Sequence, residues 1–83
     1  MDEPITRWIR TLQGKTRFEL MYQSTDLMLP GGRIIAADVY DDYLIFNLLD
    51  AELNAKQLFM MEIAAFNDCS ATTIEMRISD AIN

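Results

Sequence analysis

Histidine is absent from this chain of 83 residues, and cysteine occurs only once, at Cys69. The chain therefore lacks the commonest general base and the commonest metal ligand among side chains. A single cysteine cannot form a disulfide within the chain or a cysteine-rich zinc site, and it fits a reducing compartment. We therefore expect a protein that is not an enzyme, with no catalytic residues, no bound metal and no cofactor.

Long apolar segments are absent as well. No run approaches the ~20 residues that a membrane-spanning helix needs, and Met1 to Pro4 contains acids where a secretory signal is basic. The hydrophobic fraction is nevertheless 51%, which is typical of a chain that folds. These features predict one domain spanning residues 1–83, located in the cytoplasm and without a membrane partner.

Acidic residues outnumber basic ones by thirteen to seven, which gives a net charge of −6 and an isoelectric point near 4.3. The mean field of such a chain repels phosphates and anionic lipids, so the charge disfavours binding of nucleic acid or an anionic membrane by the whole surface. A local basic patch is compatible with this charge. Four of the seven basic residues lie within eleven positions near the N-terminus: Arg7, Arg10, Lys15 and Arg17.

The first segment has the pattern of an amphipathic helix over about residues 4–13. Pro4 follows two acids, a combination typical of a helix start, and Gly14 provides the stop. Between them, apolar residues recur at helical spacing: Ile5, Trp8, Ile9 and Leu12. A helix this short is unstable alone, so we expect it to pack on the rest of the domain.

From Lys15 onward the hydrophobic period changes to two, which predicts strands over about residues 15–23, 27–38, 43–50, 56–65 and 72–79. The alternation is clearest between Thr73 and Ile78. A bend is expected at Pro30–Gly32 and a hairpin tip at Asp41–Asp42. Residues 56–66 also favour a helix by propensity, and in that case the domain is an α+β sandwich with a four-stranded sheet.

Short sequential strands with tight connections predict a mainly β fold. An N-terminal α-helix is followed by a five-stranded, strongly bent antiparallel sheet that closes into a small SH3-like barrel. The third and fourth strands carry apolar side chains on both faces. The helix could cover the outer face, a neighbouring subunit could cover it, or the strand boundaries are shifted by one residue. We favour the neighbouring subunit, and hence a homo-oligomer.

The order of elements and several short motifs resemble the Sm/LSm/Hfq family of Sm-like proteins over roughly residues 4–79. The helix, Gly14-Lys15 and an alternating strand match the start of that family. Met61–Phe66 is similar to the turn that closes strand four in Hfq-type members. The family's first motif is matched in order, with a longer loop before its aromatic position, by Gly32, Ile34, Asp38, Tyr43, Leu44 and Phe46.

The resemblance implies a non-catalytic ring of five to seven subunits that binds single-stranded nucleic acid, RNA rather than DNA, in nucleic-acid processing or regulation. The Arg-Gly or Lys-His signature that contacts RNA in the family is replaced here by Asn67–Ser70. Rings stack on bases, amides hydrogen-bond to them, and an exposed basic helix face suits phosphates. The candidate nucleic-acid-binding residues are therefore Tyr40, Tyr43, Asn67, Arg7 and Arg10.

In the implied ring, strand four of one subunit pairs with strand five of the next. This pairing places four apolar residues at the subunit interface: Phe59, Met61, Ile74 and Met76. Two alternative functions stay open. One is an acidic inhibitor that imitates nucleic acid and binds a nucleic-acid enzyme, since Gln23–Pro30 is loosely similar to the inhibitory segment of uracil-DNA glycosylase inhibitor. The other is a purely structural oligomer.

Overall fold

The computed structural model describes residues 3–83, which form four helices and four strands. The N-terminal helix is confirmed, and it ends one residue before the predicted bound. In chain order the elements are α1 (Pro4–Leu12), α2 (Arg17–Leu20), β1 (Gln23–Leu29), β2 (Gly32–Tyr40), β3 (Tyr43–Asp50), β4 (Ala55–Glu62), α3 (Ile63–Asn67) and α4 (Ala71–Ile82).

The four strands form one antiparallel sheet in the order β1-β2-β3-β4. Each strand pair contains one register shift, at Ser24–Leu27, Ile34–Ala36 and Leu44–Ile45. Such bulges increase the twist of a sheet. The sheet nevertheless does not close, because β1 and β4 do not pair with each other. The five-stranded barrel is thus corrected to an open four-stranded sheet in a mixed α and β domain.

One hydrophobic core lies between the sheet and the helices. Its central ring is Phe46 of β3, which lies 5.2 Å from the ring of Trp8 on α1 and 6.2 Å from the ring of Phe66 on α3. Further fully buried side chains complete the core, among them Ile9, Leu12, Leu20, Leu48, Met60, Ile74 and Ile78. All four helices therefore cover the same face of the sheet.

The strand that the sequence pattern indicated most clearly, over residues 72–79, is a wrong prediction. These residues lie within the helix α4. Ser70 caps this helix, because its side chain accepts a hydrogen bond from the backbone N–H three residues later at 3.2 Å. Ile74 and Ile78 are fully buried, whereas Met76 between them is 61% exposed. Residues four apart share a side in a helix and in a strand alike, so the pattern fitted both, and the cap favours the helix.

The predicted strand over residues 15–23 is wrong for a similar reason. Residues 15–16 precede the short helix α2, residues 21–22 form a turn after it, and only Gln23 belongs to a strand, as the first residue of β1. Alternation of Phe18, Leu20 and Tyr22 favoured a half-buried strand, but only Leu20 of the three is buried. Over so few residues, alternation does not separate a strand from one turn of helix.

Of the remaining predicted strands, one is divided by a turn and the other two agree with the structure apart from one end. The range 27–38 divides into the end of β1 and most of β2, because Gly31, with a φ of 92°, makes the turn between them. The range 43–50 coincides with β3. The range 56–65 is a strand as far as Glu62, where β4 ends and α3 begins.

Replacing Ile78 by alanine should lower the free energy of unfolding by about 2–5 kcal/mol, because it leaves a cavity between α4 and the sheet. Met76→Ala is the matched control, with an expected change below about 0.5 kcal/mol, since that side chain is mostly in solvent. Urea unfolding followed by circular dichroism measures both changes. In a strand the two side chains would share one face, so equal losses would contradict the helix.

Candidate functional site

No helix within residues 3–83 lies on one face of the sheet, and we call it the uncovered face. Val39 and Leu44 are paired and face the core, so the neighbouring pair, Tyr40 and Tyr43, projects from the opposite side. Phe59 of β4 lies on that side as well, because it pairs with Ile45, two positions after Tyr43 on β3. Tyr40, Tyr43 and Phe59, which we call the aromatic row, are 70%, 43% and 52% exposed.

Carboxylates surround the aromatic row. Asp41 and Asp42 form the hairpin tip between the two tyrosines, Glu62 pairs with the second tyrosine across β3 and β4, and all three acids are exposed. Arg33, further along the same face, is compensated by an ion pair with Asp26 at 3.0 Å. The uncovered face is therefore acidic around its rings, and this charge repels phosphates.

An open cleft of about 430 Å³ lies where the aromatic row reaches β4. Tyr43, Phe59 and Arg77 are among its lining residues. The Arg77 guanidinium donates a long hydrogen bond of 3.5 Å to the backbone carbonyl of Phe59. Lys56, near the start of β4, reaches the last carbonyls of α4 at 3.4 and 3.5 Å. These basic side chains partly cover the sheet edge, which makes pairing with another strand unfavourable there.

The predicted nucleic-acid contacts do not form a single site. Two of them, the tyrosines of the aromatic row, lie on the uncovered face. Arg7 and Arg10 are exposed on α1, whose apolar side faces the core from the opposite layer. The side-chain oxygen of Asn67 accepts a hydrogen bond from the backbone N–H of Gly14 at 2.8 Å. That bond ties the chain after α1 to α3, so the oxygen of Asn67 is used by the fold.

The predicted subunit-interface residues are also in different environments. Phe59 and Met76 are more than half exposed, Met61 is half-buried, and Ile74 is completely buried in the core of this chain. Residues 3–83 contain no fifth strand with which β4 could pair, because α4 takes its place. The strand-paired interface is corrected accordingly, and Ile74 belongs to the core.

A second exposed aromatic surface lies at α2, and the sequence pattern did not indicate it. We call Lys15–Tyr22 the basic–aromatic segment. Phe18, Met21 and Tyr22 are 77%, 58% and 68% exposed. The guanidinium of Arg17 lies over the ring of Phe18, 5.7 Å from its centre. The two rings are four positions apart in the chain, before and after the buried Leu20.

A capping box fixes the conformation of this segment. The Thr16 side chain accepts a hydrogen bond from the Glu19 N–H at 3.3 Å, and the Glu19 carboxylate accepts one from the Thr16 N–H at 2.9 Å. Leu20 anchors the turn in the core. Tyr22 follows with a φ of 50°, a left-handed conformation that is uncommon for an aromatic residue. The Thr-x-x-Glu spacing is the sequence signal that could have identified the turn.

The described residues offer no metal centre. Within residues 3–83, no group of three or more cysteine, aspartate and glutamate side chains is placed to hold a metal ion. No helix in the same range is both long enough and apolar enough to cross a membrane. No family model, curated protein or solved structure matches the chain. The resemblance to Sm-like proteins therefore stays a prediction from the sequence.

The capping box leads us to expect a pH dependence of stability. Hydrogen bonds from Thr16, that of its backbone N–H first, hold the pKa of Glu19 below its ordinary value. A carboxylate with a lowered folded-state pKa stabilises the fold above its unfolded-state pKa, and this contribution is lost as the pH falls through the folded-state pKa. Glu19→Gln should therefore lose less stability than the parent protein between about pH 6 and about pH 3 in urea unfolding.

Asp50 provides an internal reference for this experiment. Hydrogen bonds from Asn54, its backbone N–H foremost, lower the pKa of Asp50 in the same direction. The Glu19→Gln variant keeps that contribution, so its acid sensitivity should be reduced but not abolished. An unchanged acid sensitivity would contradict the role assigned to the capping box.

Proposed function

We propose that this chain is a non-catalytic protein that binds single-stranded nucleic acid, RNA in particular, through the basic–aromatic segment. The observation that carries the proposal is the exposure of Phe18 and Tyr22 directly after the most basic stretch of the chain. Bases of any sequence stack on exposed rings, and phosphates pair with neighbouring cations. Both kinds of group occur together within eight residues.

The rigidity of the segment supports this role. Its turn is closed by the Thr16–Glu19 capping box and anchored by Leu20, so little conformational freedom is lost when a ligand binds. Each base stacked on a ring contributes about 1–3 kcal/mol. Two rings held in this way can bind a short single strand without reading its sequence.

Electrostatics set the expected strength. Arg7 and Arg10 of α1 and Lys15 and Arg17 of the segment bring positive charge to the helical layer, away from the acids of the uncovered face. Only a few phosphates can be neutralised by four side chains in a chain of net charge −6. We therefore expect modest affinity that falls as salt rises, by about 0.7 in the logarithmic slope for each phosphate contact.

The aromatic row is less suited to the same ligand. Three exposed carboxylates lie beside its rings, and they repel a phosphate backbone that follows a stacked base. Tyr40 and Tyr43 were the expected stacking residues. We propose Phe18 and Tyr22 in their place, because the cations that nucleic acid needs lie next to these two rings.

Fluorescence anisotropy of labelled oligo-U, oligo-A and oligo-dT of about twelve nucleotides, at about 50 mM salt, tests the proposal. The variant Phe18→Ser with Tyr22→Gly should raise the Kd at least about tenfold, because both stacking surfaces are lost. Glycine is chosen at position 22 because it adopts the φ of 50° without strain. The salt slope should stay unchanged in this variant.

Two further variants separate the contributions. Lys15→Gln with Arg17→Gln should flatten the salt slope by about 1.4, because two phosphate contacts disappear. Tyr40→Ser is the matched control, since its ring is as exposed as that of Tyr22 but lies among carboxylates. Binding that depends on Tyr40 and not on Phe18 moves the site to the aromatic row. If none of the three oligonucleotides changes the anisotropy at tens of micromolar protein, nucleic-acid binding is wrong.

A further inference from the structure

We propose that a second copy of this chain docks on the uncovered face, with the outer side of its α1 placed against the aromatic row. The proposal goes beyond nucleic-acid binding and requires no nucleic acid. It is based on three observations: no helix of residues 3–83 lies on this sheet face, carboxylates surround its exposed rings, and the outer side of α1 in the opposite layer carries two exposed arginines.

The uncovered face has the composition of a protein-binding surface. Tyr43 and Phe59 provide its exposed apolar area, and they flank Ile45, which is itself buried at 5% exposure but is not part of the core cluster beneath the helices. Carboxylates form the rim, at Asp42 and Glu62 among others. An apolar and aromatic centre with a charged rim is the usual anatomy of an interface between proteins.

The basic side of α1 complements this surface. Arg7 and Arg10 are exposed on the helix, whose other side packs in the core through Ile5, Ile9 and Leu12. A guanidinium placed on the aromatic row can stack on a tyrosine ring and pair with a carboxylate of the rim at the same time. Charge complementarity therefore favours a second copy over a single-stranded nucleic acid on this face.

The edges of the sheet are poor places for self-association. β4 is partly covered by Arg77, which donates to the Phe59 carbonyl. β1 is interrupted by the register shift at Ser24–Leu27 and carries the exposed Asp26. Bulges and charged side chains are the devices that keep edge strands from pairing. Association through the face of the sheet is thus favoured over association through its edges.

The size of the face sets the strength of the contact. Four strands about 4.8 Å apart and about eight residues long give a surface of roughly 19 by 26 Å, or on the order of 500 Å² for each copy. The outer side of the nine-residue α1 is smaller, about 14 Å long and about 10 Å wide, so the total buried area falls below about 1,000 Å², under the range of stable specific interfaces. We therefore expect a weak association that depends on protein concentration and on salt.

The two surfaces lie on opposite layers of the molecule, so the contact is head-to-tail. A contact of this kind leaves one surface free at each end, and it continues into an open chain or closes into a ring. The mass at saturation distinguishes these two outcomes, because only a ring gives a fixed number of subunits.

Light scattering at about 300 µM protein and about 50 mM salt tests the proposal by charge exchange. The parent should show a mass above 9.6 kDa that rises with concentration and falls to the monomer in about 0.5 M salt. The basic-side variant, Arg7→Glu with Arg10→Glu, and the acidic-side variant, Asp42→Lys with Glu62→Lys, should each stay monomeric. An equimolar mixture of the two variants should associate again, because each surface of one then complements a surface of the other.

The controls keep the interpretation unambiguous. Asp41 is not substituted, because its φ of 56° is tolerated by aspartate and disfavoured for lysine. Asp68→Lys with Asp80→Lys makes the same change in net charge away from the uncovered face and should associate like the parent. Circular dichroism confirms that each variant is folded.

Three outcomes would overturn the proposal: a parent that is monomeric at every concentration, a mixture that fails to associate, or single variants that associate as strongly as the parent. Loss of association in the Asp68 and Asp80 control would overturn it too, since net charge alone would then explain the result. The outcome is separate from that of the anisotropy experiment. Charge exchange can restore the mass when no oligonucleotide binds, and the reverse is also possible.

Discussion

The burial of Phe46 between the sheet and the helices is the contact on which the rest of the fold depends. Its ring meets Trp8 on one side and Phe66 on another, so a single side chain of β3 holds α1 and α3 to the same face. α2 and α4 join that core through Leu20 and Ile78. Because the described helices lie on one side of the sheet, the aromatic row on the other side stays exposed to solvent. The docking surface proposed for a second copy follows from this one-sided arrangement.

The parts of the fold that could be predicted are those where only one hydrophobic period fits. α1 shows helical spacing without alternation, and the run over 43–50 is too rich in apolar and aromatic residues for a loop. The strand predicted at 72–79 failed because Ile74 and Ile78 fit both periods, and the cap at Ser70 was the deciding signal. The prediction that the sheet closes into a barrel failed because closure depends on contacts between strands that are distant in sequence, and local patterns do not report such contacts.

The candidate site was predictable only in its chemistry. The sequence identified aromatic and basic residues as the useful groups, but it could not show that α1 and the β2–β3 hairpin lie in different layers. The sequence also indicated that Asn67 binds nucleic acid, whereas its amide oxygen accepts a hydrogen bond from the backbone N–H of Gly14, 53 positions away. The sequence did not reveal the exposure of Phe18, because an alternating pattern implies that one side of a segment is buried. In the structure a single turn of helix buries Leu20 alone.

The contact between the first and the last helix has a consequence for how the chain is made. α1 and α4 are joined by a hydrogen bond from Thr6 to Glu75 across 69 positions. All four strands leave the ribosome before α4 does, and until then Phe46 and Leu48 lack part of the layer that covers them. The nascent domain therefore exposes part of an apolar sheet during its synthesis, and its core closes only after α4 has left the ribosome.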